Sequence, residues 1–210
     1  VARVDMGNLS CAPCARPPLQ CQVVVIFSGK RKSGKDYVTN LLLQRLGEGT
    51  AEIGRLSAPL KKAYAVEHKL DYKKLLSDGP YKEQYRKDMI KWGELRRDKD
   101  PGYFARMVVE DAKKSILIIS DARRPTDLEF FQNQLKEIEI VTVRVEASEK
   151  VRASRGWVYT EGVDNVASEC GLDGREWDFV IRNDGPNTVP PLNASLEKLL
   201  STIEGKMKEG

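Results

Sequence analysis

Short, mostly apolar runs alternate along the chain with segments in which apolar residues recur at helical spacing. The runs predict five strands, over residues 21–29, 51–57, 115–120, 137–146 and 177–183. The spacing predicts helices over residues 34–47, 59–69, 101–112, 126–136, 148–155 and 195–208, and polar helices within 71–98. Continuous apolar runs are typical of parallel strands that are buried on both faces. Strands that alternate with helices therefore predict an α/β fold with a five-stranded parallel sheet.

The length of 210 residues favours a single domain. Residues 1–20 are aperiodic and Pro-rich, so we expect a flexible leader followed by one domain over residues 21–210. In that leader Cys11 and Cys14 form a C-x-x-C with no second pair to complete a zinc site. Reduced thiols are the favoured interpretation, and redox or metal chemistry is the alternative.

The charge balance is mild, with 35 Lys and Arg against 31 Asp and Glu and a net charge of +4. Such a balance does not by itself predict nucleic-acid binding. No apolar run approaches the roughly 18 residues of a membrane helix, and no secretory signal is seen. The last residues lack a Ser-Lys-Leu-like peroxisomal ending. We therefore expect a cytoplasmic enzyme of the cytosol that handles anions.

A phosphate-binding pattern follows the first predicted strand. Residues 29–36 read GKRKSGKD, which is G-x-x-x-x-G-K followed by Asp36. A strand before the pattern and a helix after it are the context that a phosphate loop needs. Glycines let successive N–H groups point at phosphate oxygens, and the helix N-terminus adds positive potential. Lys35 would then reach the β- and γ-phosphates of a nucleotide; the alternative is a Gly-rich turn with solvated lysines.

Two acids are candidates for holding Mg²⁺. Asp36 replaces the Ser or Thr that normally contacts the metal, and a carboxylate is also a suitable hard ligand. Its extra negative charge would need compensation, which residues 30–32, Lys-Arg-Lys, could supply. Asp121 ends a predicted strand, at the sheet edge where ligands bind, and would hold the metal through water. The alternative for Asp121 is a cap of the strand or an ion pair with Arg123 or Arg124.

Basic residues recur near the predicted strand ends and on the polar helices. Guanidinium groups bind phosphates and carboxylates with paired hydrogen bonds, although most of those on polar helices are merely solvated. This supply of cations suits transfer from ATP to an anionic acceptor. A phosphate acceptor is already a nucleophile and needs no general base, which fits a chain whose single histidine is His68. Residues 147–175, rich in Gly and acids, would form a lid that excludes water.

Nine segments over about residues 23–183 form a recognisable set: FSGKRKSGKD, RLSAPLKKAYAVEH, YKEQYRKDMIKWGE, DPGYF, SDARR, VRV, RGWV, GVD and SECGLD. Together they resemble the animal-type phosphomevalonate kinase family, in the nucleoside-monophosphate-kinase-like branch of P-loop proteins. The resemblance implies a P-loop NTPase fold with three α/β/α layers, acceptor-binding helices at about residues 60–112 and a lid. It also implies that ATP and Mg²⁺ convert 5-phosphomevalonate to 5-diphosphomevalonate, on the mevalonate route to isoprenoids. The leader and the residues after Asn183 depart from the family pattern, so no ligand role is expected from Asp184 onward.

The resemblance, together with the placement of the basic residues, assigns roles. It predicts nucleotide binding by Gly29, Lys30, Arg31, Lys32, Ser33, Gly34, Lys35, Asp36 and Arg155. It predicts catalytic roles for Lys35, Arg123 and Lys32. It predicts acceptor binding by Lys82, Arg86, Arg97, Arg124, Arg144 and Asn183. The metal ligands remain Asp36 and Asp121.

Two other interpretations stay open. One is a different small-molecule or nucleoside monophosphate kinase of the same branch. The other is a nucleotide-binding switch or a nucleic-acid-binding module, which would need interleaved aromatic residues that the scattered Trp92, Trp157 and Trp177 do not provide. We expect a small-molecule substrate, no nucleic-acid or membrane partner, and a monomer, since no heptad pattern is sustained.

Overall fold

The computed structural model describes residues 21–77, 79–185 and 190–209. The predicted leader at residues 1–20, with Cys11 and Cys14, lies outside these ranges. Across them, every helix is too short or too polar to cross a membrane.

A parallel sheet forms the centre of the molecule. Its strands are β1 (Val23–Ser28), β2 (Ala51–Gly54), β3 (Ile116–Ile119), β4 (Glu139–Glu146) and β5 (Phe179–Arg182). They lie in the order β2-β3-β1-β4-β5, and all pairs are parallel. Val23 of β1 is in register with Ile116 and Glu139 of its two neighbours. Every residue of β1 is buried, as its unbroken apolar run requires of a central strand.

Helices cover both faces of the sheet. Within the described ranges they are α1 (Lys35–Leu46), α2 (Ser57–Glu67), α3 (Tyr72–Leu76), α4 (Pro80–Lys99), α5 (Tyr103–Glu110), α6 (Pro125–Gln134), α7 (Glu149–Ser154), α8 (Ala167–Cys170) and α9 (Leu192–Glu209). Val38 and Leu42 of α1 and Leu196 of α9 pack against one face of β1. Val109 of α5 and Phe131 of α6 pack against the other. The predicted three-layer α/β/α class is therefore confirmed.

Helices α2 to α4 form a separate apolar cluster beside the sheet. Tyr64, Ala65, Leu75 and Met89 are its buried members. This is the region predicted to hold the acceptor. The polar stretch 71–98 contains two helices, and α8 lies in a segment whose sequence shows little periodicity.

The carboxyl ends of the strands meet at one edge of the sheet. The phosphate loop follows β1, Asp121 lies just after β3, residues 147–175 follow β4, and Asn183 follows β5. In open parallel sheets this edge is where ligands bind. The fold thus brings the predicted site residues from distant parts of the chain to one place.

Gly54, at the end of β2, allows α5 to approach the sheet closely. A Cβ there would lie 2.5 Å from Val108 Cγ1 and 3.0 Å from Leu117 Cδ1.

We expect Gly54→Ala to lower the free energy of unfolding by about 1–3 kcal/mol, because the added methyl overpacks a filled core. Gly49→Ala is the control, since no atom lies within 4 Å of a Cβ there. Urea unfolding measures both variants, and equal stabilities would contradict the close packing at Gly54.

Candidate active site

The phosphate loop has the tight backbone that its sequence predicts. Gly34 has a φ of +86°, and a Cβ at this position would collide with the Asn183 side-chain amide. Lys32 also has a positive φ, of +62°, although it is not glycine. Non-glycine residues in this region are uncommon, and strained positions of this kind concentrate at functional sites.

Lys35 is fixed where β1 and β3 end. Its side chain is 10% exposed, and its ammonium donates to the Ser120 carbonyl and to Asp36 Oδ1, the latter at 2.9 Å. Partial burial opposes ionisation of Asp36, but the charge and hydrogen bond of Lys35 outweigh it and lower the pKa of this carboxyl. The Asp36 side chain remains 69% exposed. It therefore presents an ionised carboxylate beside the loop.

Two residues predicted to contact ligands hold the backbone of the loop. Asn183 Nδ2 and Arg155 Nη1 each donate to the Ser33 carbonyl at 2.9 Å. Arg155 Nη2 donates to the Asn183 carbonyl at 2.7 Å. The observed contacts of Asn183 and Arg155 thus give the loop its support from β5 and from the end of α7.

Residues 147–175, the lid segment, contact the phosphate loop through Arg31. The Arg31 side chain lies 2.8 Å from Asp164 Oδ2, its carbonyl accepts from Arg152 Nε at 2.9 Å, and its N–H donates to Glu169. Lys30 pairs with Asp173 at 2.7 Å. Lys30 and Arg31 were expected to offset the charge of Asp36. The structure instead gives both of them carboxylate partners from the lid segment.

Asp164 is the most connected of these lid acids. Its side chain is 4% exposed and accepts from Trp157 Nε1 at 3.0 Å and from the Thr160 N–H at 2.8 Å. Burial opposes its ionisation, but these hydrogen bonds and the charges of Arg31 and Arg152 outweigh it and lower the pKa of Asp164. Sequence reasoning missed Asp164, Glu169 and Asp173 as site residues. The excess of loop cations was the signal that acidic partners were needed.

A basic cavity of about 380 Å³ lies between the helical region and the lid segment; we call it the acceptor cavity. Its cationic lining residues are Arg31, Lys61, Lys82, Arg86, Arg97, Arg123 and Arg124. The structure thus brings together four predicted acceptor ligands: Lys82, Arg86, Arg97 and Arg124. Lys61 also lines this cavity, although the sequence did not predict it as a site residue. It lies on the helix predicted to begin at Pro59.

Arg97 is deeply placed in this cavity. Its side chain is 10% exposed, its guanidinium stacks 4.7 Å from the centre of the Phe104 ring, and Glu94 lies 3.6 Å away. Burial, and then the nearby charge of Arg124, lowers the pKa of Arg97 from its very high ordinary value. Arg124 pairs with the same Glu94. Glu94 thus holds both guanidinium groups in place at this side of the cavity.

Arg123 lies where two cavities meet. It lines the acceptor cavity and also a cavity of about 310 Å³ at the phosphate loop. Asp127 Oδ2 accepts the N–H groups of Arg123 and Arg124, at 2.9 Å and 3.0 Å. Burial raises the pKa of Asp127, and these hydrogen bonds oppose that shift. A buried acid of α6 thus fixes the backbone from which both arginines project.

Asp121 contacts backbone at the start of α2, which is neither the strand cap nor the ion pair with Arg123 or Arg124 that the sequence offered as the alternative. Its carboxylate oxygens accept from the N–H groups of Leu56 and Ser57, at 2.6 Å and 3.1 Å, and so satisfy the start of α2. In the ranges that the structure describes, no group of three or more His, Cys, Asp or Glu side chains could hold a metal ion. A Mg²⁺ ion bound with nucleotide phosphates needs only one or two carboxylates. Asp121 remains near the site, but it serves the entry of α2.

Arg144 does not lie in the acceptor cavity. Its guanidinium donates to Ser28 Oγ at 3.0 Å and pairs with Asp173 at 2.6 Å. The Arg144 Cζ atom lies 5.8 Å from the centre of the Trp177 ring. Arg144 lines a different cavity, of about 550 Å³, between the ends of β4 and β5 and the lid segment. Side chains alternate along a strand, and the face that Arg144 occupies turns it toward Trp177. Its predicted contact with the acceptor therefore stays a prediction, and the contacts that the structure gives Arg144 are with Ser28, Asp173 and Trp177.

A parallel sheet with a phosphate loop after its central strand, facing a cavity lined by arginines, defines a P-loop kinase of small anionic molecules. A family model for phosphomevalonate kinase matches residues 27–137. A phosphomevalonate kinase of Drosophila melanogaster is 39% identical over 182 residues, which are 84% of this chain and 96% of that protein. The chain belongs to the phosphomevalonate kinase family. The predicted family and the prediction of an ATP-dependent kinase are confirmed.

Solved structures of other kinases are more distantly similar. The Mycobacterium tuberculosis APS kinase CysC, in complex with AMPPNP and APS, is 12% identical with a TM-score of 0.49, covering 88% of this chain and 98% of that one. A shikimate kinase from Bacteroides thetaiotaomicron is 14% identical with a TM-score of 0.48, covering 87% and 98%. The fold assignment rests on the sheet and the phosphate loop rather than on these likenesses.

The contact of the lid segment with Arg31 can be tested at Asp164. Asp164→Asn keeps the shape of the side chain and the acceptor oxygen for Trp157, but it replaces the oxygen that faces Thr160 and Arg31 with an NH2 donor and removes the charge. We expect hydrogen exchange over residues 157–170 to rise about 10-fold, since a hydrogen bond to a charged group is lost. Because the pKa of Asp164 is lowered, its stabilisation is complete at neutral pH and is lost only as acid protonates the folded carboxyl.

Glu197→Gln is the matched control for that exchange measurement. Glu197 also pairs with an arginine, Arg45, at 2.8 Å, but its side chain is 70% exposed and lies on α9. It should leave the exchange of residues 157–170 unchanged. Equal exchange in the two variants would show that Asp164 does not hold the lid segment.

Proposed function

We propose that this chain transfers the γ-phosphoryl group of ATP to 5-phosphomevalonate, giving 5-diphosphomevalonate and ADP. The position of Arg123, at the meeting point of the phosphate-loop cavity and the acceptor cavity, is the observation that carries the proposal. A phosphoryl group passing from one anion to the other crosses this point. The family and the name of the Drosophila melanogaster relative support the choice of acceptor.

The nucleotide phosphates bind at the phosphate loop, on N–H groups between Gly29 and Asp36 other than that of Arg31, which Glu169 accepts, and at the start of α1. Lys35 contacts the β- and γ-phosphates, and Lys32 stabilises the phosphoryl group in transfer. The fixed position of Lys35 beside Ser120 and Asp36 supports this assignment. Arg155 and Asn183 act indirectly by holding the loop.

Asp36 is the residue that fits Mg²⁺. It is exposed, its pKa is lowered, and carboxylate oxygens are ligands that this ion prefers. The ion would neutralise phosphate charge during the transfer. Asp121 accepts one backbone N–H on each oxygen and keeps lone pairs for a water, so its proposed contact with the ion passes through water.

The acceptor carries a phosphate at one end and a carboxylate at the other, and the acceptor cavity offers several separate cations for them. Lys82, Arg86, Arg97 and Arg124 bind these groups, and Arg123 contacts the reacting phosphate. A volume of about 380 Å³ lies within the ordinary range of small-molecule sites. An ionised phosphate attacks without a general base, so the protein contributes alignment and charge neutralisation. The lid segment excludes water from the transfer.

We further propose a cytosolic monomer that acts without nucleic-acid or membrane partners. The mild net charge supports the lack of a nucleic-acid partner, and the absence of a sustained heptad pattern in the sequence supports the monomer.

The choice of acceptor is tested by turnover. Purified protein with Mg²⁺ and ATP should release ADP when 5-phosphomevalonate is added, and at least about 100-fold more slowly with any nucleoside monophosphate, because those acceptors lack the terminal carboxylate. A coupled assay of ADP release makes the comparison, and the diphosphate product is identified by phosphorus NMR. Turnover with nucleotides alone would assign the chain to the alternative kinase class.

Arg97 allows a test of the acceptor cavity. Arg97→Met should raise the KM for 5-phosphomevalonate about 10- to 100-fold and leave the KM for ATP within about threefold, because a buried charge contact to the acceptor is lost. Arg96→Met is the control, since Arg96 pairs with Glu67 and stacks on Trp92 outside the cavity. A shared rise in both KM values for Arg97→Met would contradict an acceptor-specific role.

A further inference from the structure

Glu169 is a buried acid of the lid segment that has no part in the binding of ATP, Mg²⁺ or the acceptor as proposed above. It lies on the short helix α8, and its side chain is 3% exposed. One carboxylate oxygen accepts from Arg123 Nη1 at 2.6 Å, and the other accepts from the Arg31 N–H. One side chain thus joins three segments that are far apart in sequence: the phosphate loop, the turn after β3 and the lid segment.

Burial of a carboxylate is costly unless a cation and hydrogen bonds compensate it. Arg123 supplies the cation and Arg31 supplies the backbone N–H. The Arg123 backbone is already fixed by Asp127, so Glu169 adds the restraint on the guanidinium itself. Because Arg123 lines both cavities, this restraint acts at the point where the two substrates meet.

We propose that Glu169 is a positioning residue for phosphoryl transfer. It fixes the Arg123 guanidinium between the two phosphate sites and secures the Arg31 amide of the loop. The inference rests on the proposed role of Arg123. Glu169 belongs to the lid segment, so it can restrain Arg123 only when that segment lies against the phosphate loop. Closure of the site is therefore coupled to the orientation of the Arg123 guanidinium.

A competing explanation makes the opposite prediction. A carboxylate between a loop N–H and an arginine occupies a place that suits a phosphate oxygen. Glu169 would then be a placeholder that both substrates displace, and removal of its charge would tighten their binding. A positioning residue instead affects the chemical step more than it affects binding.

Glu169→Gln separates the two explanations, because glutamine keeps the shape and an acceptor for the Arg31 N–H but loses the charge. We expect kcat to fall about 10- to 100-fold while the KM values for ATP and 5-phosphomevalonate stay within about threefold. Glu161→Gln, at an exposed acid of the same segment, is the control and should leave all three constants unchanged. An unchanged kcat with lower KM values would establish the placeholder and overturn the proposal.

A double-mutant cycle shows whether Glu169 acts through Arg123. Arg123→Met alone should lower kcat, and adding Glu169→Gln should lower it less than about threefold further. Full activity of Arg123→Met would refute the proposed role of Arg123 itself, and with it this inference. A low kcat for Arg123→Met combined with multiplicative effects in the double variant would refute the role of Glu169 alone.

Glu169→Asp provides a second variant should the glutamine protein fold poorly. It keeps the charge and shortens the side chain by one methylene. We expect its kcat to lie between those of the native chain and Glu169→Gln, with a thermal unfolding midpoint close to native. A native kcat with native KM values for Glu169→Asp would show that the position of this carboxylate is unimportant and would contradict the proposal.

Discussion

The ionic contacts between the lid segment and the phosphate loop are the interaction on which this site depends. Arg31 offers its guanidinium to Asp164, its carbonyl to Arg152 and its N–H to Glu169, while Lys30 pairs with Asp173. The loop backbone is also held by Asn183 and Arg155. A loop that must present N–H groups to phosphate is in this way positioned from both sides before a substrate arrives, so less reorganisation is needed at the time of reaction.

The parts of the site that the sequence predicted well are those fixed by local patterns. The phosphate loop could be located because its glycines, the strand before it and the helix after it are adjacent in the chain. The sheet could be predicted from apolar runs of strand length. Lys35 and Arg123 follow two of these strands, so both could be placed at the carboxyl edge of the sheet. The cations on α4 were predicted to face the acceptor, and Arg97 lies in a common cavity with Arg124.

The roles that local patterns left undecided depend on partners distant in sequence. Asp121 accepts the N–H groups of Leu56 and Ser57, which precede it by 65 and 64 positions in the chain. Its place after a strand gave no sign of these contacts. Arg144 depends on the face of β4 and on Asp173, which reaches it from the lid segment. The irregular residues 156–173 offered no periodicity from which to place Asp164 or Glu169. Only the folded chain shows which cation each acid meets.

The contacts between the lid segment and the loop explain why residues 29–35 contain four cations, Lys30, Arg31, Lys32 and Lys35. Closing a lid that carries acids over a site for two polyanions would be unfavourable if those acids were unpaired. Asp164 is matched by Arg31, Asp173 by Lys30, and Glu169 by Arg123. Lys30 and Arg31 therefore neutralise the lid segment, and Lys32 and Lys35 are the loop cations assigned to the phosphates. This division allows the lid to contact the loop without reducing the positive potential that the substrates meet, and it makes the loop's own conformation the feature that the lid recognises.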